Sequence, residues 1–361
     1  MSAKAWMGLA AATVVAVAGA AYVVIEGDSG TGERRYEETL FPGLMDRVND
    51  VVTLTVRKGD KSWTITRRDR DKWVMVEKDD YPVSADKVKQ AVVAVAGLKI
   101  VEEKTSNPDL YAKIDVADVD AKDSKSILLG LEDGEGKELA RLLVGKTKSY
   151  GTDTKPAQVF VRKPGDKTSW LVEARLDIKG DALSWLDPET LKVTKGRVRR
   201  VVITHPDGEV VTVERDPDKP DSFTLRGVPK GYRQQSDYRL GAIAAGLEYV
   251  RYEDVRPADR LAFDKNAIES VIETDDGLRV TLRTITKDKQ NWVRIDAVFD
   301  EALAGEDADK EAVKKEAEAI KGRVDGWAYL IPDYRAENFT RRMSDLIEKI
   351  EPAKDKKAKG S

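Results

Sequence analysis

The sequence predicts an α+β protein: an N-terminal transmembrane helix followed by two repeated antiparallel-sheet-plus-helix modules. Three observations lead there. Ala5 to Ile25 is a run of 21 residues without a charge. Short segments alternate apolar and polar residues along most of the remaining chain, the period-2 pattern of half-buried strands. A set of residues then recurs in the same order about 147 positions later, the offset of Val56 and Ile203.

The apolar run is justified first. As a helix it would be about 31 Å long, matching the hydrocarbon core of a bilayer. It is apolar on every face, which a helix at the surface of a soluble core is not. Lys4 precedes it and Glu26 and Asp28 follow it, so residues 1–4 are expected in the cytoplasm and the bulk of the chain outside. The expected location is the bacterial inner (cytoplasmic) membrane, crossed once at 5–25, with the rest periplasmic. Ala18-Gly19-Ala20 also fits a signal-peptidase pattern, but Tyr22 to Ile25 continues the apolar run beyond it. Either reading exports the chain. Residues 26–50, including the Gly27–Gly32 spacer, are expected to form a juxtamembrane linker.

The first module is expected over 51–195. Val52, Leu54 and Val56 alternate with Thr53, Thr55 and Arg57, and strand-like runs follow at Trp63–Thr66 and Lys72–Val76. Ser84 opens a helix whose apolar residues Val88, Val92, Val95 and Leu98 recur at 3–4 residue spacing. Leu128–Leu131, Leu139–Val144, Val159–Val161 and Trp170–Val172 read as further strands, with a short helix ending near Trp185-Leu186. Asp133-Gly134, Asp207-Gly208 and Asp276-Gly277 lie between strand-like runs, where both residue types tolerate positive φ.

The second module is expected over 196–351. Arg68-Asp69 corresponds to Arg215-Asp216, Ala96-Gly97-Leu98 to Ala245-Gly246-Leu247, Pro108 to Pro257 and Asp115 to Asp264. Strand patterns recur at Val198–Ile203, Val210–Val213, Val271–Thr274, Val280–Leu282, Trp292–Ile295 and Trp327–Ile331. This copy carries a helical insertion at 302–323, with a narrow stripe of Val313, Ala317, Ile320 and Val324. Met343, Leu346, Ile347 and Ile350 space as a closing helix, and the tail 352–361 is expected to be disordered.

Composition excludes several function classes. Charged residues are 35% of the chain, yet the net charge is −3 with both signs mixed throughout, so no basic face for nucleic acid stands out. The chain holds no cysteine, which excludes disulfides, thiol catalysis, Cys-ligated zinc and iron–sulfur clusters.

His205, the single histidine, precedes Pro206-Asp207-Gly208 and reads as a turn residue; no Gly-x-Ser-x-Gly elbow accompanies it. The acidic clusters Asp115/Asp118/Asp120/Asp123 and Glu306/Asp307/Asp309 lack the calcium-loop pattern and read as solvated loops. Gly145-Lys146-Thr147 lacks the glycine spacing of a phosphate loop, so any ATPase involved would be a separate polypeptide. Trp63, Trp73, Trp170, Trp185, Trp292 and Trp327 read as packing residues. The 302–323 helix reads most simply as a solvated surface element; its narrow apolar stripe also makes it the preferred element for docking a partner protein. No catalytic, cofactor-binding or metal residue is assigned, no cofactor is expected, and the chain is read as non-enzymatic.

The ordered pattern Lys72-Trp73, Tyr81-Pro82-Val83-Ser84-Ala85-Asp86, Ala96-Gly97-Leu98 and Leu110-Tyr111 to Asp115 resembles the domain-of-unknown-function family 4340. Leu143-Val144-Gly145-Lys146, Val159-Phe160-Val161-Arg162 and Ser184-Trp185-Leu186-Asp187 resemble it too. The likeness is good over Val51–Asp187 and loose in the second copy. Tyr111-Ala-Lys-Ile114-Asp115 departs from the family's Tyr-Gly-Leu-Asp. The resemblance implies one membrane helix, an exported region, and association with ABC-type transport systems of the gliding-motility kind. It supplies no catalytic residues. The expected function is a non-enzymatic, membrane-anchored accessory or scaffold protein with envelope protein partners, ABC transporter subunits among them. The alternative is an envelope glycan-binding protein or hydrolase.

Overall fold

The structure is a computed structural model that describes residues 38–69, 72–149, 156–186, 191–248, 250–264 and 266–350. The predicted cytoplasmic end 1–4, membrane helix 5–25, first part of the 26–50 linker and tail 352–361 lie outside the described residues. Among the described residues, no helix is long and apolar enough to cross a membrane. Chain contacts divide the described residues into two units, 38–67 with 85–181 and 68–84 with 182–350.

The elements before residue 181 are β1 (Val51–Lys58), β2 (Lys61–Arg67), β3 (Trp73–Met75), β4 (Tyr81–Pro82), α1 (Ala85–Ala96), β5 (Lys99–Thr105), β6 (Ile127–Asp133), β7 (Glu138–Ser149), β8 (Gln158–Arg162) and β9 (Ser169–Glu173). In the first unit the sheet runs β2-β1-β6-β7-β8-β9-β5, antiparallel throughout. The alternation predicted for β1 puts Leu54 and Val56 on the core face, opposite Ile65 on one side and Leu131 and Leu129 on the other. The predicted stripe of α1, Val88, Val92 and Val95, is buried, as is Leu98 after it. Pairing of the edge strand β5 with β9 is irregular at two places, which blunts that edge against stray pairing.

Part of the predicted linker is folded onto this unit. Leu40 and Leu44 are buried, Thr39 bridges to Lys99, and a 3-10 turn spans Met45–Asp50. The two leucines are the reason: a linker reading from the glycines upstream ignored the apolar surface that they bring.

The second unit contains β10 (Val198–Thr204), β11 (Val210–Asp216), β12 (Lys219–Leu225), β13 (Tyr232–Gln234), α2 (Asp237–Ala244), β14 (Asp254–Pro257), β15 (Ile268–Thr274), β16 (Leu278–Lys287), β17 (Gln290–Phe299), α3 (Lys310–Val324), β18 (Trp327–Ile331), α4 (Asp333–Thr340) and β19 (Ile347–Lys349). Its main sheet runs β12-β11-β10-β15-β16-β17-β18-β14. Matching β1 to β10, β2 to β11, β6–β9 to β15–β18 and β5 to β14 reproduces the first unit's order. The irregularity where β1 meets β6, between Val51 and Thr53, recurs where β10 meets β15, between Val198 and Arg200. Val56 and Ile203 are both fully buried, and Pro108 and Pro257 each stand at the start of a 3-10 turn.

The segment Arg68–Ser84, which includes β3 and β4, groups with the second unit rather than with the 51–195 module. Its Tyr81 ring lies edge-on to Trp327 at 4.8 Å and packs beside Tyr252 and Tyr329. Lys78 pairs with Asp254 at 2.5 Å, and Asp79 pairs with Arg260. Burial, and to a lesser degree the neighbouring Tyr81, pushes the Tyr329 hydroxyl well above the ordinary tyrosine range.

Three predicted helices differ. The insertion is helical only from Lys310 to Val324, because Asp309 accepts the Ala312 N–H at 3.0 Å and caps it; a 3-10 turn at Glu301–Leu303 precedes it. Met343–Ile350 forms a 3-10 turn and then β19, since β13 offers a strand partner in the register Gln234↔Ile347. Trp185-Leu186 ends a turn, with Leu186 bridged to Val83. The Asp-Gly turns do separate strands, by a different device from shared positive φ. Asp133 and Asp207 accept turn N–H groups through their carboxylates, and Gly136, Gly208 and Gly277 take the positive φ.

Candidate functional site

Period-2 alternation in β15, β16 and β17 sends Ile272, Val280, Leu282, Ile295 and Ala297 into the core. It leaves Glu269, Val271 and Glu273, then Arg279, Thr281 and Arg283, then Arg294, Asp296 and Val298 on the opposite face. Register sets these in three rungs across the strands. Glu269, Arg283 and Arg294 form one; Val271, Thr281 and Asp296 the next; Glu273, Arg279 and Val298 the third. β10 extends the last two with Val202 and Arg200. The face floors an open groove of about 640 Å³, bordered by Lys321 and Asp325 at the end of α3.

Much of this charge is neutralised within the groove. The buried Glu273 carboxylate is held by Arg200 at 2.6 Å and Arg279 at 2.9 Å, and Arg279 also reaches Asp300 at 2.9 Å. Arg283 turns back to Glu269 at 3.0 Å. That leaves Arg294 directly opposite another arginine, a costly juxtaposition of like charge. Among the described residues, the side chains of Arg294, Asp296, Lys321 and Asp325 have no hydrogen-bond or ion-pair partner. The groove therefore presents two cations and two anions free to meet something else.

The elements that carry the groove are held by packing and by one arginine. At the Trp292 end, Ala258, Leu261, Trp292, Ala328 and Leu330 form a small apolar cluster, and Arg256 stacks over Trp292 at 4.4 Å. At the other end Arg197 grips the β15–β16 turn through Asp276 at 2.7 Å and α3 through both oxygens of Glu316 at 2.8 Å. The Glu316 bonds, with those of Asp276, raise the Arg197 guanidinium above its ordinary value although partial burial opposes them. Burial would raise Asp276, but the Arg197 and Thr274 hydrogen bonds outweigh it and hold that carboxyl below the usual range. In the first unit Arg47 reaches Asp133 of the β6–β7 turn at 3.1 Å, so an arginine just before the opening strand serves both units.

The sequence candidates do not converge. His205 is a turn residue, as expected, but it is buried; its Nε2 lies 3.1 Å from the Arg341 carbonyl, which makes Nε2 the protonated nitrogen, and among the described residues Nδ1 has no partner. In the first acidic cluster Asp118 binds Arg162 at 2.5 Å and Asp120 binds Arg57, while Asp115 and Asp123 sit at positive φ in turns. In the second, Asp309 caps α3. Among the described residues, no group of three or more His, Asp or Glu is placed to hold a metal ion. Gly145-Lys146-Thr147 lies inside β7, with Lys146 Nζ donating to the Lys113 carbonyl at 2.7 Å. Trp73, Trp185 and Trp292 are buried.

Besides Arg197, two arginines have structural roles that the sequence reading did not assign. Arg162 is buried in the first unit: Nε donates to the Val116 carbonyl at 2.9 Å, Nη1 to the Asp166 carbonyl at 2.9 Å, and the guanidinium stacks 4.5 Å from the Tyr111 ring. Arg342 binds both Asp207 and Glu209, whose other oxygen accepts the Met343 N–H. The Glu209 N–H, followed by Arg342, holds the Asp207 carboxyl below its usual range.

A family model described as a domain of unknown function (DUF4340) matches residues 73–265, more than half of the chain. The match begins at β3 and runs on beyond Asp187 to residue 265, so it reaches well into the second repeat, where the residue-by-residue likeness is loose. No curated protein matches the chain. No solved structure matches it either.

Proposed function

The chain belongs to the DUF4340 family, and we propose that it is a non-enzymatic, membrane-anchored accessory or scaffold protein of the cell envelope. One observation carries this reading: the two units share one strand order. In our reading they are copies of a single module, set one after the other behind the apolar Ala5–Ile25 segment. Two related sheet faces on one tethered chain suit a protein that holds others in place. Subunits of an ABC-type transporter are the proposed partners, resting on the resemblance alone.

Affinity purification of the full-length chain from membranes in mild detergent, with mass spectrometry of its companions, tests the proposal. Enrichment of the same membrane-complex subunits in every preparation is the expected result. A chain recovered alone, with no companion above background, contradicts it.

A further inference from the structure

We propose that the groove on the second unit's sheet receives helix α3 of a second copy of this chain, and that the exchange is reciprocal. The inference rests on charge and spacing within the second unit and stands apart from the accessory reading.

The groove's lining balances. Arg279, Arg283, Arg294 and Lys321 face Glu269, Glu273, Asp296 and Asp325, so its field selects neither an anion nor a cation. It suits an occupant that carries both signs. The free charges on its floor are Arg294 and Asp296, two residues apart on β17 and thus about 7 Å along the strand.

The matching element borders the groove. Helix α3 buries Val313, Ala317, Ile320 and Val324 and exposes Lys314, Glu318, Ala319 and Gly322. Among the described residues, the Lys314 and Glu318 side chains have no hydrogen-bond or ion-pair partner. They stand four positions apart, about 6 Å along the helix. Laid along β17 of another copy, Lys314 meets Asp296 and Glu318 meets Arg294. Small residues at 319 and 322 allow a close approach. Because α3's own end lines the groove, a two-fold axis between the two features seats each copy's helix in the other's groove. That is the closed, self-complementary arrangement of a symmetric dimer.

The test uses the full-length chain in detergent, with the molar mass of the protein part measured by light scattering over a concentration series. Wild type is expected to dimerise. Arg294→Glu and Glu318→Lys are each expected to weaken association about tenfold, since each change breaks two contacts per dimer. The double variant R294E/E318K restores the pair with its polarity exchanged and is expected to recover dimerisation. Both positions are exposed, and unchanged thermal unfolding of each variant separates loss of contact from loss of fold. A wild-type chain that stays monomeric throughout overturns the proposal. So does a dimer indifferent to both single changes, or a double variant no better than either.

Discussion

Replacing Arg162 with alanine should unfold the first unit far more readily than any change to its acidic partner. The guanidinium is 3% exposed and supplies the donor for the Val116 carbonyl, whose residue is fully buried. Orphaning that carbonyl costs about 1–3 kcal/mol. Losing the buried aliphatic stem and the stacking on Tyr111 adds about 1–2 kcal/mol. Asp166 is exposed, so water replaces the donor at its carbonyl. Asp118 is 67% exposed, so its ion pair contributes less than about 1 kcal/mol. Arg162→Ala should therefore cost about 2–5 kcal/mol, and Asp118→Ala under about 1. Urea unfolding of the full-length protein, followed by far-ultraviolet circular dichroism, measures both. An Arg162→Ala cost below about 1 kcal/mol, or equal costs for the two variants, would refute the reasoning.

Other consequences follow from single positions. A methyl group at Gly145 would lie 2.3 Å from the Ile114 carbonyl and 2.7 Å from Val116 Cγ1, so Gly145→Ala should destabilise by roughly 2–4 kcal/mol in the same urea assay. Removing the cap with Asp309→Ala should cost about 1 kcal/mol and speed amide exchange in the first turn of α3 while sparing β17. The carboxyls of Asp133, Asp207 and Asp276 titrate lower in the folded chain: for Asp133 and Asp207 chiefly through turn N–H groups, for Asp276 through Arg197 and Thr274 against its burial. Their stabilising contribution is complete above the unfolded aspartate value and is lost as pH falls through the lower folded values. The urea midpoint should thus decline below about pH 4, and Asp276→Asn should soften that decline.

Much of the fold was legible because alternation reports burial directly. Leu54 and Val56 in β1, and Val280 and Leu282 in β16, lie on the core face that their spacing implies. The recurring anchors were legible for a like reason: Gly97 and Gly246 each follow the helix of their own repeat, Gly97 directly and Gly246 within a 3-10 turn. The closing segment was misread because Met343, Leu346, Ile347 and Ile350 carry helical spacing, while the deciding factor was an unpaired strand, β13, more than a hundred residues away. The groove was half legible. Alternation alone places Glu269, Arg283 and Arg294 on outward faces, but only sheet register sets them on one rung and shows which charge is left over. The clamps of Arg162 and Arg197 join residues 46 and 119 positions away, and no local pattern announces such pairs.

The most direct test of the account is whether the second unit stands outside the membrane on a retained anchor. The natural chain has no cysteine, so Tyr238→Cys, at a side chain 85% exposed, gives a single reporter without background. Intact cells with a permeabilised outer layer are treated with a membrane-impermeant maleimide, and the membrane fraction is analysed by intact mass. The account predicts labelled protein in the membrane fraction with residues 1–25 retained. Labelling only after lysis, or a labelled soluble chain lacking its first residues, would contradict it.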